Sequence, residues 1–96
     1  MSASVLEIIQ WKAQPGVTDA AMVAAMQALL PDLQQLEGFI SKTMYHNADH
    51  WCELYHWQSE ADAQQSNERM AGQASLQALL ALVQPDTISI QIMHQV

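Results

Sequence analysis

The stretch that most constrains this chain is Trp51-Cys52-Glu53-Leu54-Tyr55-His56-Trp57-Gln58, which runs directly into Ser59-Glu60-Ala61-Asp62. It reads as a buried strand feeding a capped helix. Successive side chains on a strand point to opposite sides, so Trp51, Glu53, Tyr55 and Trp57 share one face, and Cys52, Leu54 and His56 share the other. The Leu54 face is aliphatic enough to lie under helices. The other sets three large aromatics around a carboxylate and is expected to line a pocket or a subunit contact.

The rest of the chain supplies partners for this strand. Val5 to Ala13 is dense in Val, Ile and Trp and too short before Pro15-Gly16 to be a helix, which predicts a strand with Leu6 and Ile8 opposite Val5, Glu7, Ile9 and Trp11. Thr18 suits an N-cap, and Met22, Met26, Leu29, Leu30, Leu33 and Leu36 then recur at helical spacing. Pro31 predicts a kink, or a break after which it starts a short final turn. Glu37-Gly38 ends this helical region. Phe39 to His46 alternates as a second strand, with Ile40, Lys42, Met44 and His46 opposing Phe39, Ser41, Thr43 and Tyr45, and Asn47-Ala48-Asp49 should close a hairpin onto the Trp51 strand. Ser59 with Asp62 resembles a capping box for a polar helix reaching about Met70. Past Gly72, Leu76, Leu79, Leu80 and Val83 predict a further helix stopped by Pro85-Asp86, and Ile88, Ile90 and Ile92 a closing strand with one face in the core.

The order β-α-β-β-α-β is the ferredoxin-like arrangement of the α+β class: a four-stranded antiparallel sheet with helices on one face. The first and third strands are expected in its centre, read as a parallel pair. With Leu6, Leu54 and their neighbours under the helices, the bare face would carry Val5, Glu7, Ile9 and Trp11 beside Trp51, Glu53, Tyr55 and Trp57. At about 25 cal/mol per Å² this is too much apolar area to leave in water, so a second copy should cover it.

Ninety-six residues suffice for one domain, 1–96, with a single core. Three Lys+Arg against ten Asp+Glu give a formal charge of -7. The cations Lys12, Lys42 and Arg69 are scattered, so neither nucleic acid nor an anionic membrane surface is expected as a partner. Met1 to Glu7 lacks a basic leader and a long apolar run, and the lone Cys52 fits a reducing compartment. Together these predict a cytoplasmic protein.

The strand ending in Pro15-Gly16, the helix ending before Glu37-Gly38-Phe39, the hairpin, and the corner Trp57-Gln58-Ser59-Glu60-Ala61 resemble the antibiotic-biosynthesis-monooxygenase-like group of the dimeric α+β barrel superfamily across essentially the whole chain. The resemblance implies a homodimer with a cavity for an aromatic or quinone-like molecule. The activity it implies is cofactor-independent monooxygenation; the alternative is a non-catalytic ligand-binding or stress-related module of the same fold. Trp57 matches the Trp of the group's Trp-x-Ser corner, a position implicated in substrate contact in some oxygenating members. Where those members place an Asn on this strand and a Tyr on the next helix, this chain has Glu53 and Ala63. The Asn, Trp and His set of the haem-degrading branch finds no match.

Glu7 and Glu53 fall on the two central strands and one face. Converging in a half-apolar cavity, they would have raised pKa values and could deprotonate a phenol-like substrate; otherwise each bonds to Gln10, Gln91, Tyr45 or a partner subunit. They are the candidate catalytic residues, with Trp57, Tyr55, Trp11 and Tyr45 as candidate substrate contacts. No cofactor is expected: glycine-rich phosphate loops and flavin fingerprints are missing. No metal is expected either, since His46 and His50 across the hairpin lack the third ligand that catalytic zinc uses, while His56 and His94 read as a buried ring and a peripheral one.

Overall fold

The computed structural model describes residues 4–96; residues 1–3, which begin the stretch read for a leader, lie outside the described residues. The elements are β1 (Val5–Lys12), α1 (Asp19–Gln27), α2 (Leu30–Gln34), β2 (Phe39–Asn47), β3 (His50–Trp57), α3 (Glu60–Met70), α4 (Ala74–Leu80) and β4 (Ser89–His94), with a 3-10 turn at Pro85–Thr87. The caps read from sequence form. Thr18 Oγ1 accepts from Ala21 N at 3.1 Å, and Ser59 Oγ accepts from Asp62 N at 3.1 Å. Pro31 lies in the first turn of α2, where its missing N–H costs nothing, so the helical region breaks rather than kinks. No helix among the described residues is long and apolar enough to cross a membrane.

The sheet order is β2-β3-β1-β4, the ferredoxin-like α+β arrangement. Every pair is antiparallel, including the central β1 and β3, which corrects the expected parallel pairing. The reason is topological. The helices between β1 and β2 return the chain so that β2 runs with β1, and the tight hairpin at Ala48-Asp49 then reverses β3.

Alternation on β1 and β3 holds, but the two faces are exchanged relative to expectation. The helices cover the aromatic and acidic face. Val5, Glu7, Trp11, Trp51, Glu53, Tyr55 and Trp57 are all buried, and Met22, Met26, Leu29, Leu33, Ala63, Met70, Leu79 and Val83 complete the core around them. Leu6, Ile8, Cys52, Leu54 and His56 lie on the open face and are only half-buried. Aromatic area decides the outcome. Three Trp and a Tyr offer more apolar surface than two Leu and an Ile, and at about 25 cal/mol per Å² the helices stabilise the fold more by covering the larger set. The carboxylates follow their strand under the helices, because register moves a whole face together.

A bulge at Phe39/Ser41 in β2 breaks the simple alternation there. Phe39 thereby joins the helix-covered side and meets Trp57 edge-to-face at 5.5 Å, while Lys42 lies opposite Tyr55. Ile40 is left 51% exposed. At the same corner Gly38 has φ 84, and a Cβ there would collide with the Asp62 carboxylate. The close approach of the β2 entry to the first turn of α3 therefore requires glycine.

Candidate active site

The site grows from β3 and its two neighbours. The register places Glu53 opposite Ile9 and Met44, and Tyr55 opposite Glu7 and Lys42. Glu53 is 1% exposed. Its Oε1 accepts a hydrogen bond from the Tyr55 hydroxyl at 2.7 Å, and its Oε2 lies 2.7 Å from Lys42 Nζ. Oε2 makes no hydrogen bond of regular geometry, so the Lys42 contact is an ion pair. Lys42 Nζ also donates to the Met26 carbonyl at the end of α1 and sits 5.9 Å from the centre of the Tyr55 ring. Glu7 is fully buried and accepts from Trp57 Nε1 at 2.9 Å through Oε1. Its Oε2 has no hydrogen-bond partner; Trp57 and the Asn67 amide of α3 offset part of the burial effect on the carboxyl.

Burial sets the electrostatics. Loss of solvent pushes the Glu53 carboxyl above its ordinary range, and the neighbouring Lys42 charge opposes that rise without cancelling it. Glu7 rises as well, chiefly by desolvation, with a smaller contribution from the charge of Glu53. The Tyr55 hydroxyl is driven well above its usual range by burial and by both carboxylates, so it is a fixed hydrogen-bond donor and not an acid at any ordinary pH.

Between the sheet and α4 lies a cavity of about 180 Å³ walled mostly by apolar groups. Glu53, Tyr55 and Asn67 are its polar lining; Ile9, Trp11, Leu29, Leu76 and Leu79 make much of the remainder, and Leu80, Ile88 and Ile90 stand at its exposed edge. Trp11 Nε1 is buried without a hydrogen-bond partner. Larger hollows occur elsewhere, about 450 Å³ beside His56 and Met93 and about 400 Å³ around Pro15, Gly16 and Asp49, but neither is lined by a buried carboxylate. The small cavity, with its single buried carboxylate, combines apolar walls with a few convergent polar groups, the arrangement by which ligand sites are recognised.

The structure thus brings together Glu53, Tyr55 and Trp11 at the cavity, beneath the helices and not on the bare sheet face where Glu53 and Trp57 were expected. Glu7 and Trp57 are bonded to each other behind this wall and do not line it. Tyr45 is apart from all of them: it lies opposite Cys52 on the open face and is 58% exposed. Lys42 is the polar residue that sequence reasoning missed, along with Asn67. Its placement depends on the β2 bulge, though alternation had put Lys42 and Met44 on one face and offered a partial signal. Among the described residues no group of three or more His, Cys, Asp or Glu side chains is arranged to hold a metal ion. His46 stacks on Trp51 at 4.2 Å, His50 bonds Gln10 at 2.9 Å, and His56 is half-buried on the open face beside Ser41.

No protein-family model and no curated protein matches the sequence. Solved structures do match the fold. SnoaB, a cofactor-independent oxygenase from Streptomyces nogalater, superposes with a TM-score of 0.80 at 11% identity, over 99% of this chain and 95% of that one. A candidate antibiotic biosynthesis monooxygenase from Bordetella bronchiseptica gives a TM-score of 0.84 at 12% identity, with 98% of each chain covered. The protein NE2512 of Nitrosomonas europaea, of unknown function, gives 0.79 at 14% identity over 99% of this chain and 91% of that one. The fold of this chain is therefore that of the antibiotic-biosynthesis-monooxygenase-like α+β proteins, as the Gly38-Phe39 and Trp57-Gln58-Ser59 corners implied.

Proposed function

We propose that this chain, as a single domain over 1–96, is the subunit of a cytoplasmic homodimer that binds a small phenol or quinol between sheet and helices and oxygenates it without a cofactor. The observation that carries the reading is Glu53: a carboxylate 1% exposed, raised in pKa by desolvation, at the wall of an otherwise apolar cavity. A base poised above the usual carboxylate range is matched to a weakly acidic hydroxyl. The cavity is smaller than the roughly 300–1,000 Å³ of drug-sized sites, which favours one- and two-ring substrates.

In this mechanism Glu53 takes the substrate's hydroxyl proton. The resulting anion passes one electron to dioxygen, the radical pair joins at a ring carbon as a peroxide anion, and Glu53 returns its proton to give the hydroperoxide. Loss of water leaves one oxygen atom in the product as a carbonyl and releases the other as water, so phenol and dioxygen become quinone and water. Tyr55 holds Glu53 in place, and the apolar walls exclude water from the anion. Glu7, tied to Trp57 outside the cavity lining, supports the wall instead of acting as a second base.

The open face supports the proposed assembly: Leu6, Ile8 and Leu54 on it are half-buried, and Tyr45 and Met93 are more than half exposed. A second copy laid on this surface would remove it from water. The half-buried Cys52 thiol fits a reducing compartment.

The test is oxygen uptake by metal-free protein with a panel of phenols and dihydroxynaphthalenes, scored against spontaneous autoxidation. Wild type should exceed that background and transfer isotopic label from dioxygen into the product, and Glu53→Gln should abolish the excess. If wild type only matches autoxidation, or Glu53→Gln equals wild type, the oxygenase reading is wrong and the cavity belongs to a binding module.

A further inference from the structure

Of the three cations in this chain, Lys12 and Arg69 are exposed, whereas the Lys42 side chain is 5% exposed and paired with Glu53. Burying an ion pair is a poor way to stabilise a core, because the desolvation penalty can exceed the Coulombic gain and an apolar pair of similar volume often does as well. The position of the pair suggests a different use. Glu53 lines the ligand cavity; Lys42 does not. It lies behind the carboxylate and lines a separate cleft with Gln27, Leu30 and Met44.

We propose that Lys42 is the fixed counter-charge of the cavity: it sustains one negative charge there, carried by the Glu53 carboxylate when the cavity is empty and by the ionised hydroxyl of a phenolic ligand when it is filled, with Glu53 then holding the proton. The inference rests on the ligand cavity assigned above. The proton moves from the ligand hydroxyl to Glu53 Oε, so none is gained or lost overall, and the positive charge stays in place. An apolar cavity without that charge would disfavour a phenolate, whereas a preorganised cation in low dielectric stabilises the developing anion with no rearrangement. The groups facing Lys42 agree with this role. From β3 these are Glu53 and Tyr55, and from α1 the neutral Met26 carbonyl. Beyond them stand Glu7 on β1 and, across the sheet, the Cys52 thiol, which burial and the charge of Glu53 hold in its neutral form. Lys42 does not line the cavity, so it is a positioning residue and Glu53 the group that meets the ligand.

The experiment uses 4-nitrophenol, a one-ring probe whose absorption separates phenol from phenolate, titrated into the full-length protein across pH. Bound to wild type, the probe should show the phenolate band about 1–3 pH units below its midpoint in free solution, the range expected for a group beside an opposite charge. Lys42→Met should erase that band while the neutral phenol still binds, and Lys42→Arg should restore it. Should Lys42→Met fold poorly because Glu53 is left unpaired, the double variant Lys42→Met/Glu53→Gln removes both charges and should bind only the neutral probe. A phenolate band independent of residue 42, or a probe that stays neutral in wild type, overturns the counter-charge while leaving the cavity intact. A probe that does not bind wild type at all overturns the cavity assignment and the counter-charge with it.

Discussion

The two faces of the sheet differ in a way that reverses ordinary patterning. The helix-covered face carries two carboxylates and a lysine among its aromatics. The open face carries Leu6, Ile8 and Leu54. Polar atoms do not by themselves send a face outward when their partners are built beside them. Trp57 Nε1 satisfies Glu7 Oε1, while Tyr55 and Lys42 attend to Glu53. Trp57 and Tyr55 thus each bring a large apolar body and a donor that meets a carboxylate, whereas Trp11 is held by area alone, its Nε1 lacking an acceptor. The side-chain pairs on the open face, Gln10 with His50 and Ser41 with His56, are exposed and pair no carboxylate. That face resembles a surface awaiting another layer.

The contrast can be broken most severely from the covered side. Trp57 is fully buried, packs on Phe39 and Tyr55 and donates to Glu7, so Trp57→Ala should cost about 3–5 kcal/mol, read as a lowered denaturant midpoint at unchanged slope. A loss below about 1 kcal/mol would mean that this face is not the core.

On the open side the effect should fall on association. Sedimentation at micromolar concentration should show a dimer for wild type, and Leu54→Asp should give a folded monomer, because each partner would otherwise bury an unpaired carboxylate. A wild-type monomer, or a dimer indifferent to Leu54→Asp, would leave the open face without the role assigned to it. Truncation to Leu54→Ala should cost the isolated protomer only about 1 kcal/mol, since Leu54 lies outside the helix-covered core.

The smallest effect is a slope. Glu7 has a folded-state pKa above its ordinary 4.5, so the folded protein holds that proton where the unfolded chain has released it. The associated stability is fully present below 4.5 and is lost as pH rises through the folded value, opposite in sign to a salt-bridged carboxylate. Glu7→Gln keeps an acceptor for Trp57 Nε1, and should therefore flatten the decline in stability above that pH and leave the variant more stable than wild type near neutrality. Denaturant titrations at both ends of this window decide the point. An unchanged slope would show that Glu7 does not contribute it.

Much of the site was legible in the alternation of residues 51–57, which placed Glu53 and Tyr55 on one face beside Glu7 and Trp11. Their burial beneath the helices was not legible, because a period of two says which side chains go together and nothing about which side receives the next layer. Lys42 escaped notice for a related reason. A lysine on an edge strand ordinarily faces water, and only the register of β2 against β3 beyond the Phe39/Ser41 bulge brings its ammonium to Glu53. Tyr45 is kept away from the Glu53 cavity by the same register, which sets it opposite Cys52 on the open side.

By itself the sequence determined the element order, the Thr18 and Ser59 caps, the break at Pro31, the hairpin, and therefore the ferredoxin-like topology, because these depend on local backbone chemistry and hydrophobic period. The tertiary structure alone decided the direction of the two faces, the separation of Glu7 from the cavity that Glu53 lines, and the burial of Lys42. Those outcomes depend on total area removed from water and on donors meeting acceptors across strands distant in sequence, quantities that come into being only when the layers pack.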